Sequence, residues 1–323
     1  MEKKDLRIVY LGTPEFAVES LRRLVTEGYH VVGVVTMPDK AIGRHQNQLQ
    51  PSPVKVYAKQ AGIPVLQPQN LKEASFLEQL RAWRADLQIV VAFRMLPEAV
   101  WAMPRLGTFN LHASLLPQYR GAAPINWAIM NGERETGITT FFLKHEIDTG
   151  NIIDQVSTPI LPDDDFGTVH DRLMVMGGDL VVKTVDALLQ GHVDSHAQSD
   201  ADSKGRALKP APKIFRETCQ IRWERPAQDI HNHIRGLSPS PGAWSVMKTP
   251  QGETTAKIFR SRPTGKSHDG LLPGQTVTDG RSTLSVQTGS GLLAIEEIQV
   301  AGKKRMAIGD FLRGQHAESI SFQ

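Results

Sequence analysis

The sequence contains very little cysteine and no long apolar run. Of its 323 residues only Cys219 is a cysteine, which excludes a disulfide within the chain and a metal cluster held by several cysteines. No apolar run approaches the roughly 20 residues that a membrane-spanning helix needs. The first residues also lack the apolar segment of a signal peptide. These absences indicate a cytoplasmic chain with no membrane partner.

The residues that are present have the proportions of an ordinary globular protein, with 40% hydrophobic and 22% charged side chains. The length favours two domains. The charge is uneven: residues 1–200 contain 19 basic and 23 acidic residues, whereas residues 201–323 contain 18 and 11. A basic final third is typical of a domain that binds a polyanion, but a solvated surface without a partner explains the same composition.

Strand-like and helix-like segments alternate over about the first 190 residues, which predicts an α/β fold with a mostly parallel sheet covered by helices. Thr168 is predicted to cap the last helix of this region at its N-terminus, and Gly191 to stop it. The predicted strands are Arg7–Leu11, His30–Thr36, Leu87–Ala92, Thr136–Phe142 and Asn151–Val156, and the predicted helices are Pro14–Gly28, Leu71–Trp83 and Thr168–Leu189.

The rest of the chain has a different texture. Residues 191–208 are polar and aperiodic, which predicts a linker between a domain at residues 1–190 and one at residues 209–323. The second region has short β-rich segments broken by glycine and proline, with one helical piece at Pro226–Arg235. Short strands with frequent turns predict a small β-barrel. Trp223 and Trp244 are expected in its core.

Two polar residues stand out in the apolar segment Gly107–His112. Asn110 and His112 are two apart, so on a strand they face the same side. An amide can donate to a developing oxyanion, and an imidazole can move a proton near neutral pH. Asp148 follows in a turn-rich loop ending at Gly150. The set predicts acyl or one-carbon transfer without a metal, although polar residues that only complete turns would give the same pattern.

Other cofactor chemistry is not favoured by the sequence. The segment Leu11–Phe16 follows a strand and opens a helix, as in a phosphate-binding turn. It lacks the Gly-x-Gly-x-x-Gly pattern and a suitably placed acidic residue, which argues against a nicotinamide cofactor. His231 and His233 are two apart on a predicted helix and therefore face apart, so they make a poor metal pair.

Several of these segments together resemble the folate-dependent formyltransferases. Asn-x-His at Asn110, Ser-Leu-Leu-Pro at Ser114 and Asp-Thr-Gly at Asp148 are similar to that family's active-site signature. The likeness is strong from about Arg7 to Leu189 and more diffuse beyond. It implies a Rossmann-like catalytic domain and an OB-like C-terminal β-barrel. Four further segments support it: Leu11-Gly-Thr-Pro-Glu-Phe16, Pro38-Asp-Lys-Ala-Ile-Gly-Arg44, Pro51-Ser-Pro-Val-Lys55 and Tyr119-Arg-Gly-Ala-Ala-Pro124.

The resemblance implies a reaction and roles for its residues. The formyl donor would be 10-formyltetrahydrofolate, used as a co-substrate. Asn110 would bind the oxygen of the tetrahedral intermediate, His112 would move a proton or stabilise charge, and Asp148 would orient His112. This chain has Phe93-Arg94 where the family usually has Tyr-Gly. Folate would be lined by two segments: Phe93, Arg94, Met95 and Leu96, and Ser114, Leu115, Leu116 and Pro117.

The likeness is greatest to family members whose acceptor is initiator methionyl-tRNA, which act in translation initiation as monomers. The long polar loop from Met37 to Pro53 would enter the acceptor end of the tRNA, unless it is only a solvated loop. The predicted tRNA contacts are Lys40, Arg44, Lys209, Lys213 and Arg235. Two alternatives stay open: a formyltransferase acting on an amino sugar nucleotide, and a folate- or nucleotide-binding module without catalysis. Hydrolysis of the formyl-folate is a third, lesser one.

Overall fold

The computed structural model describes residues 2–42, 48–199, 205–313 and 320–323. They form two compact units, each built from several stretches of chain. The first unit comprises Met1–Gly121, Thr136–Thr158 and His170–Pro210, and the second comprises Ala122–Glu135, Pro159–Val169 and Ala211–Gln323.

Strands and helices alternate through the first part of the chain, and strands dominate the remainder. The strands are β1 (Arg7–Gly12), β2 (His30–Val35), β3 (Lys40–Ile42), β4 (Gln48–Gln50), β5 (Val65–Leu66), β6 (Leu87–Val91), β7 (Thr108–His112), β8 (Glu135–Phe142), β9 (Ile152–Pro159), β10 (Ala243–Thr249), β11 (Gly252–Pro263), β12 (Thr276–Thr278), β13 (Leu284–Gln287), β14 (Leu292–Val300), β15 (Met306–Ala307) and β16 (Ser321–Phe322). The α-helices are α1 (Phe16–Thr26), α2 (Pro53–Gln60), α3 (Ala74–Ala82), α4 (Glu98–Trp101), α5 (Pro124–Met130), α6 (Phe166–Gln190), α7 (Ala227–Gly236) and α8 (Ile308–Leu312).

The main sheet has the strand order β5-β2-β1-β6-β7-β8-β9. The first five strands of this order are parallel, and β8 runs antiparallel to β7. All five residues of β6 are buried, as expected for a parallel strand covered on both faces. The predicted mostly parallel α/β sheet is confirmed. Because β6 and β7 are parallel neighbours, the segments that follow them emerge at the same edge, where sites in such sheets form.

The long helix α6 begins two residues earlier than predicted, and the prediction that Thr168 caps it was wrong. The Thr168 N–H donates to Asp165 Oδ1 at 2.8 Å, and the Asp165 N–H donates to Thr168 Oγ1 at 2.9 Å. Asp165 is therefore the cap, and Thr168 is the reciprocal partner three residues later. At the other end Gly191 has a φ of 73°, and the His192 N–H donates to Ala187 O at 3.0 Å. The predicted glycine stop is confirmed.

The second unit contains a small antiparallel barrel, as predicted from its short strands. The order is β12-β13-β14-β11-β10-β16, with β15 paired to β14. The edges meet through a bridge between Gln275 and Ser321, and the Phe322 N–H donates to Gly274 O at 2.9 Å. The sheet is thus nearly closed, which leaves little free edge. Trp223 is 3% exposed and belongs to the core of this unit, and Trp244 packs against that core while partly buried.

Within the described ranges, no helix is long and apolar enough to cross a membrane.

Candidate active site

The candidate site begins at the end of β7. Asn110 pairs with Val90 of β6 on one side and with Phe141 of β8 on the other, and His112 pairs with Thr139. Alternation along β7 points the Asn110 and His112 side chains to the same face. His112 is 6% exposed and Asn110 is half-buried. The Asn110 Oδ1 is buried with no hydrogen-bond partner among the described residues.

The hydrogen bond on one ring nitrogen of His112 fixes the other as the basic one. His112 Nε2 lies 2.9 Å from the backbone oxygen of Tyr119, and a carbonyl oxygen can only accept, so Nε2 carries the proton. In the neutral ring Nδ1 is then the lone-pair nitrogen. Nδ1 faces Asp148 Oδ2 at 3.9 Å, which is too long for a direct hydrogen bond. Two acceptors therefore face each other across a gap that a proton donor can enter.

Asp148 is held in place from its side chain and its backbone. Its Oδ2 accepts the Gly121 N–H at 2.9 Å. Its φ is 55°, a left-handed conformation that costs an ordinary residue on the order of 1 kcal/mol or more. A Cβ at Gly150 would come 1.5 Å from Phe142 O, so only glycine fits at the end of this loop. The carboxylate of Asp148 faces His112, and its catalytic role stays a prediction.

Residues at the end of the predicted linker, and Lys209 just after it, form hydrogen bonds with the loop that follows β7. The Tyr119 N–H donates to Lys209 O at 2.8 Å, and Gln118 Nε2 donates to Ala207 O at 3.0 Å. The Tyr119 φ is 59°, so the carbonyl that faces His112 belongs to a residue in an unusual conformation. These bonds tie the loop after β7 to residues 207–209.

Gln198 in the same region was not predicted as a site residue. Its Nε2 donates to Asp148 O at 2.8 Å and to Gly150 O at 2.9 Å. Its Oε1 accepts from Arg120 Nε at 3.0 Å. The sequence of this polar, aperiodic segment does not distinguish Gln198 from its neighbours, because the residues that Gln198 contacts lie some 50 positions away in the chain.

The Ser114–Pro117 loop rests on a buried hydrogen-bond network. Ser114 Oγ donates to Gln118 O at 2.6 Å, and Thr139 Oγ1 donates to Ser114 O at 2.7 Å. Gln155 Nε2 donates to Leu116 O at 2.8 Å. Ser114, Leu116 and Pro117 are buried, and Leu115 is half-buried. The network fixes the shape of the loop, and its contact with folate stays a prediction.

The segment after β6 starts with a residue in a strained backbone conformation, and its Arg94 side chain binds backbone oxygens of a neighbouring loop. Ala92 has a φ of 48°. The Arg94 guanidinium donates to Gln69 O at 2.8 Å, and its Nε is buried with no hydrogen-bond partner in the part of the chain that the structure describes. Burial lowers the pKa of Arg94. Met95 is 72% exposed and Leu96 is buried; Phe93 is half-buried. A cavity of about 510 Å³ adjoins the segment, lined by Gln69, Asn70, Leu71, Lys72, Arg94, Met95, Leu96, Pro97 and Glu98.

The long loop predicted to contact tRNA contains two short paired strands, β3 and β4. Lys40 is exposed on β3, which pairs with β4. Arg44 lies outside the described residues, so its prediction has no structural counterpart. The base of the loop is anchored at Asp39, which binds Lys55 Nζ at 2.6 Å and Gln67 Nε2 at 2.8 Å. The hydrogen bond from Lys55 lowers the pKa of Asp39.

The three other predicted tRNA contacts have different surroundings. Lys209 is exposed in the first unit. Lys213 is exposed in the second unit, with its Nζ 5.6 Å from the centre of the Phe215 ring. Arg235 is half-buried and donates to Asp164 O and to Asn232 Oδ1, both at 2.9 Å. Burial lowers the pKa of Arg235. Much of its donor capacity is used within the protein, and its contact with tRNA stays a prediction.

Among the residues that the structure describes, no three His, Cys, Asp or Glu side chains are grouped as metal ligands.

The chain matches known formyltransferases over nearly its whole length. Residues 6–185 match the family Formyl transferase, and residues 213–316 match Formyl transferase, C-terminal domain. The chain therefore belongs to the formyl transferase family and is a one-carbon group transferase. The family resemblance of the sequence motifs is confirmed.

Within this family, the chain is similar to several methionyl-tRNA formyltransferases. The methionyl-tRNA formyltransferase of Parabacteroides distasonis is 59% identical over 315 residues, 97% of each chain. That of Bacteroides fragilis is 58% identical over 317 residues, 98% of this chain and 97% of the relative. In fold, the chain resembles a sugar 3N-formyl transferase solved in the presence of dTDP and 5-N-formyl-THF. The TM-score is 0.65 at 19% identity, and the match covers 93% of this chain and 99% of that one.

Proposed function

We propose that this chain transfers the formyl group of 10-formyltetrahydrofolate to the α-amino group of initiator methionyl-tRNA, in translation initiation in the cytoplasm. The observation that carries the proposal is the 59% identity over 97% of both chains with a relative named methionyl-tRNA formyltransferase. The grouping of Asn110, His112 and Asp148 supports it, because these three residue types can carry a formyl transfer without a metal.

The first chemical step is attack of the neutral amine on the formyl carbon. A carbon–nitrogen bond forms, and the carbonyl electrons move onto the formyl oxygen, which becomes an oxyanion. Asn110 donates from its side-chain amide to that oxygen, a type of contact that contributes about 3 kcal/mol to barrier reduction. The amide oxygen of Asn110 is buried without a hydrogen-bond partner among the residues that the structure describes, so it is available to an N–H of the incoming amine. A substrate thus satisfies a group that the protein leaves unsatisfied.

The second step moves a proton. The attacked nitrogen must lose a proton, and the folate nitrogen N10 must gain one as its bond to the formyl carbon breaks and the carbonyl re-forms. His112 Nδ1 takes the proton, since Nε2 is committed to Tyr119 O, and returns it to N10. Asp148, 3.9 Å from Nδ1, stabilises the positive charge that forms on the ring or on the amine. The gap between these two acceptors is where the proton donor would enter.

Two segments at one edge of the sheet are proposed to bind the folate. Residues 93–96 follow β6, and residues 114–117 follow β7, which lies beside it. The first segment follows the left-handed Ala92 and exposes Met95; the second is fixed by Thr139 and Gln155. Folate derivatives are the formyl donors of this family, and the relevant form here is proposed to be the 10-formyl compound.

The acceptor separates this proposal from its main alternative. A sugar formyltransferase has the same fold, but at 19% identity that likeness speaks for the fold alone. The curated relatives at 58–59% identity carry the methionyl-tRNA name. Lys40, Arg44, Lys209, Lys213 and Arg235 remain the proposed tRNA contacts, and the chain is proposed to act as a monomer.

The test is formyl transfer measured with a panel of acceptors. Radiolabelled formyl donor is incubated with the protein and with initiator methionyl-tRNA, elongator methionyl-tRNA or a UDP-amino sugar. We expect rapid labelling of the initiator tRNA alone. Labelling of the sugar would show that the acceptor is an amino sugar nucleotide and not tRNA. Release of formate with no labelled acceptor would indicate a hydrolase. No turnover of the folate with any acceptor would favour a non-catalytic binding module. Replacing the donor by 5-formyltetrahydrofolate should abolish transfer.

A further inference from the structure

The side chain of Gln198 has all its strong hydrogen-bonding capacity directed at the candidate active site. A glutamine amide offers two donors and one oxygen with two lone pairs. Here the donors bind Asp148 O at 2.8 Å and Gly150 O at 2.9 Å, and the oxygen accepts from Arg120 Nε at 3.0 Å and Nη2 at 2.5 Å. A half-buried side chain with four such bonds joins two loops that are far apart in sequence.

The two carbonyl groups that Gln198 binds flank the turn that aims Asp148. Asp148 has a left-handed φ of 55°, which an aspartate holds only where its surroundings impose it. On the side-chain side, the Gly121 N–H binds its carboxylate. On the backbone side, Gln198 binds the carbonyl of Asp148 itself and that of Gly150. Loss of either restraint would let the loop relax and would move the carboxylate relative to His112.

We infer that Gln198 is a positioning residue for the Asp148 carboxylate: by donating to the carbonyls of Asp148 and Gly150 it holds the strained turn in which that carboxylate faces His112. This inference rests on the role given to Asp148 in the proposed function. Gln198 itself touches neither substrate nor the reacting atoms. Its contribution is geometric, and displacement of a catalytic group by about 1 Å can cost a hundredfold in rate.

Glutamate at position 198 separates this role from one exerted through Arg120. Glutamate has the shape of glutamine and its carboxylate accepts from Arg120 at least as well. It has no N–H to give to Asp148 O or Gly150 O and brings negative charge toward both carbonyls. If Gln198 acted only by holding Arg120, Gln198→Glu would keep full activity. If it acts through the Asp148 turn, Gln198→Glu should be at least as impaired as the uncharged Gln198→Leu.

The experiment measures single-turnover and steady-state formylation of initiator methionyl-tRNA by Gln198→Glu, Gln198→Leu, Asp148→Asn and the double variant Gln198→Leu/Asp148→Asn. Gln79→Leu is the matched control, because Gln79 is exposed and its amide donates to Ser75 O of its own helix α3 at 3.1 Å. We expect kcat to fall about tenfold to a hundredfold in both Gln198 variants. KM for each substrate should stay within about twofold, and Gln79→Leu should leave both kcat and KM unchanged.

In the Asp148→Asn background, loss of Gln198 should add little, since residues acting through one another are not additive. Wild-type kcat in both Gln198 variants, an active Gln198→Glu beside an impaired Gln198→Leu, or fully additive losses would each overturn the inference. Full activity of Asp148→Asn would instead remove the role of Asp148 from the proposed function. The two failures are therefore distinguishable.

Discussion

Asn110 is the residue at which the structure leaves a buried polar group unsatisfied on the face of β7 that carries His112. Its Oδ1 has no partner among the described residues, whereas nearly all buried polar atoms in folded proteins are hydrogen-bonded. Leaving a buried acceptor without a partner costs about 1–3 kcal/mol. That cost is recovered if the amide meets the amine and formyl oxygen of a bound substrate.

Replacing Asn110 by alanine should remove a contact made in the transition state. We expect Asn110→Ala to lower kcat about a hundredfold to a thousandfold, as for other oxyanion-binding amides. Because the Oδ1 atom lost with the amide has no hydrogen-bond partner among the described residues, the free energy of unfolding should be unchanged or slightly increased. Steady-state formylation and urea unfolding measure the two quantities. A kcat within about threefold of wild type would remove Asn110 from the proposed mechanism.

His233 on α7 shows a different consequence of burial. Burial lowers its pKa to about 4, and its Nε2 has no partner among the described residues. Below the unfolded value near 6.5 the unfolded chain takes up a proton that the folded chain does not. The folded state therefore loses stability as the pH falls from about 6.5 toward 4.

His233→Asn should weaken this acid sensitivity. From pH 7 to pH 5 the wild-type histidine is expected to cost about 2 kcal/mol of unfolding free energy, and the variant should not show that part of the loss. Asparagine is chosen because its amide can replace the ring N–H that binds the backbone of Cys219. Urea unfolding of the wild-type and variant proteins at both pH values gives the comparison. Equal pH dependence in the two proteins would contradict the assignment.

Sequence patterns predict site residues that are close together in the chain or lie in a known motif, but not contacts between distant loops. Asn110 and His112 could be found because two positions on one strand share a face. Asp148 could be found because its turn pattern resembles a family motif. The Nε2–H tautomer of His112 and the contacts of Gln198 could not, because each depends on backbone groups of loops that meet only in the folded chain.

At the scale of single elements, α6 depends on a capping pair. Asp165 and Thr168 bind each other's backbone N–H groups, which satisfies two donors at the helix start. Both residue types are good caps, but the sequence pattern predicted only Thr168 as the cap. The reciprocal bonds use both residues, with Asp165 as the cap.

Asp165→Ala should destabilise the protein by about 1 kcal/mol, the usual cost of a lost N-cap. Thermal or urea unfolding followed by circular dichroism measures this loss. Asp163→Ala is the control, since Asp163 is an exposed carboxylate two residues earlier and its removal changes the net charge equally. If the two variants lost the same stability, the effect would be one of charge and not of capping.

The strands show which elements a sequence can reveal. The sequence predicts a buried strand over Leu87–Ala92, and β6 spans Leu87–Val91; the strand is apolar except for Gln88, as is typical of a strand buried on both faces. Closure of the barrel was not predictable in detail. It depends on Gln275 meeting Ser321, two residues without any distinguishing pattern.

At the scale of the whole molecule, the uneven charge predicts how binding responds to salt. The region 201–323 carries 18 basic and 11 acidic residues, and phosphate contacts release counterions from tRNA. We expect KM for tRNA to rise steeply with salt, with a log–log slope of about 0.7–0.9 per contact. KM for the folate should rise much less.

Lys213→Glu tests whether one predicted contact contributes to that slope. Steady-state kinetics over a salt series should give a smaller slope for the variant and a higher KM for tRNA at low salt, with kcat little changed. A slope equal to that of wild type would assign Lys213 to the solvated surface and leave the remaining predicted contacts to be tested in the same way.

The second unit takes in α5 (Pro124–Met130) and the start of α6 as well as residues 211–323. Within this unit Asn126 Nδ2 donates to Gly236 O at 2.8 Å, and a Cβ at Gly236 would come 2.6 Å from Met130 Cγ. A chimera joined at one point in the 191–208 region would therefore unite an α5 and an α7 that had never evolved together. A stable chimera of this kind would need matched changes near residues 126 and 130, so a single junction in the 191–208 region is a poor place to exchange the C-terminal parts of two formyltransferases.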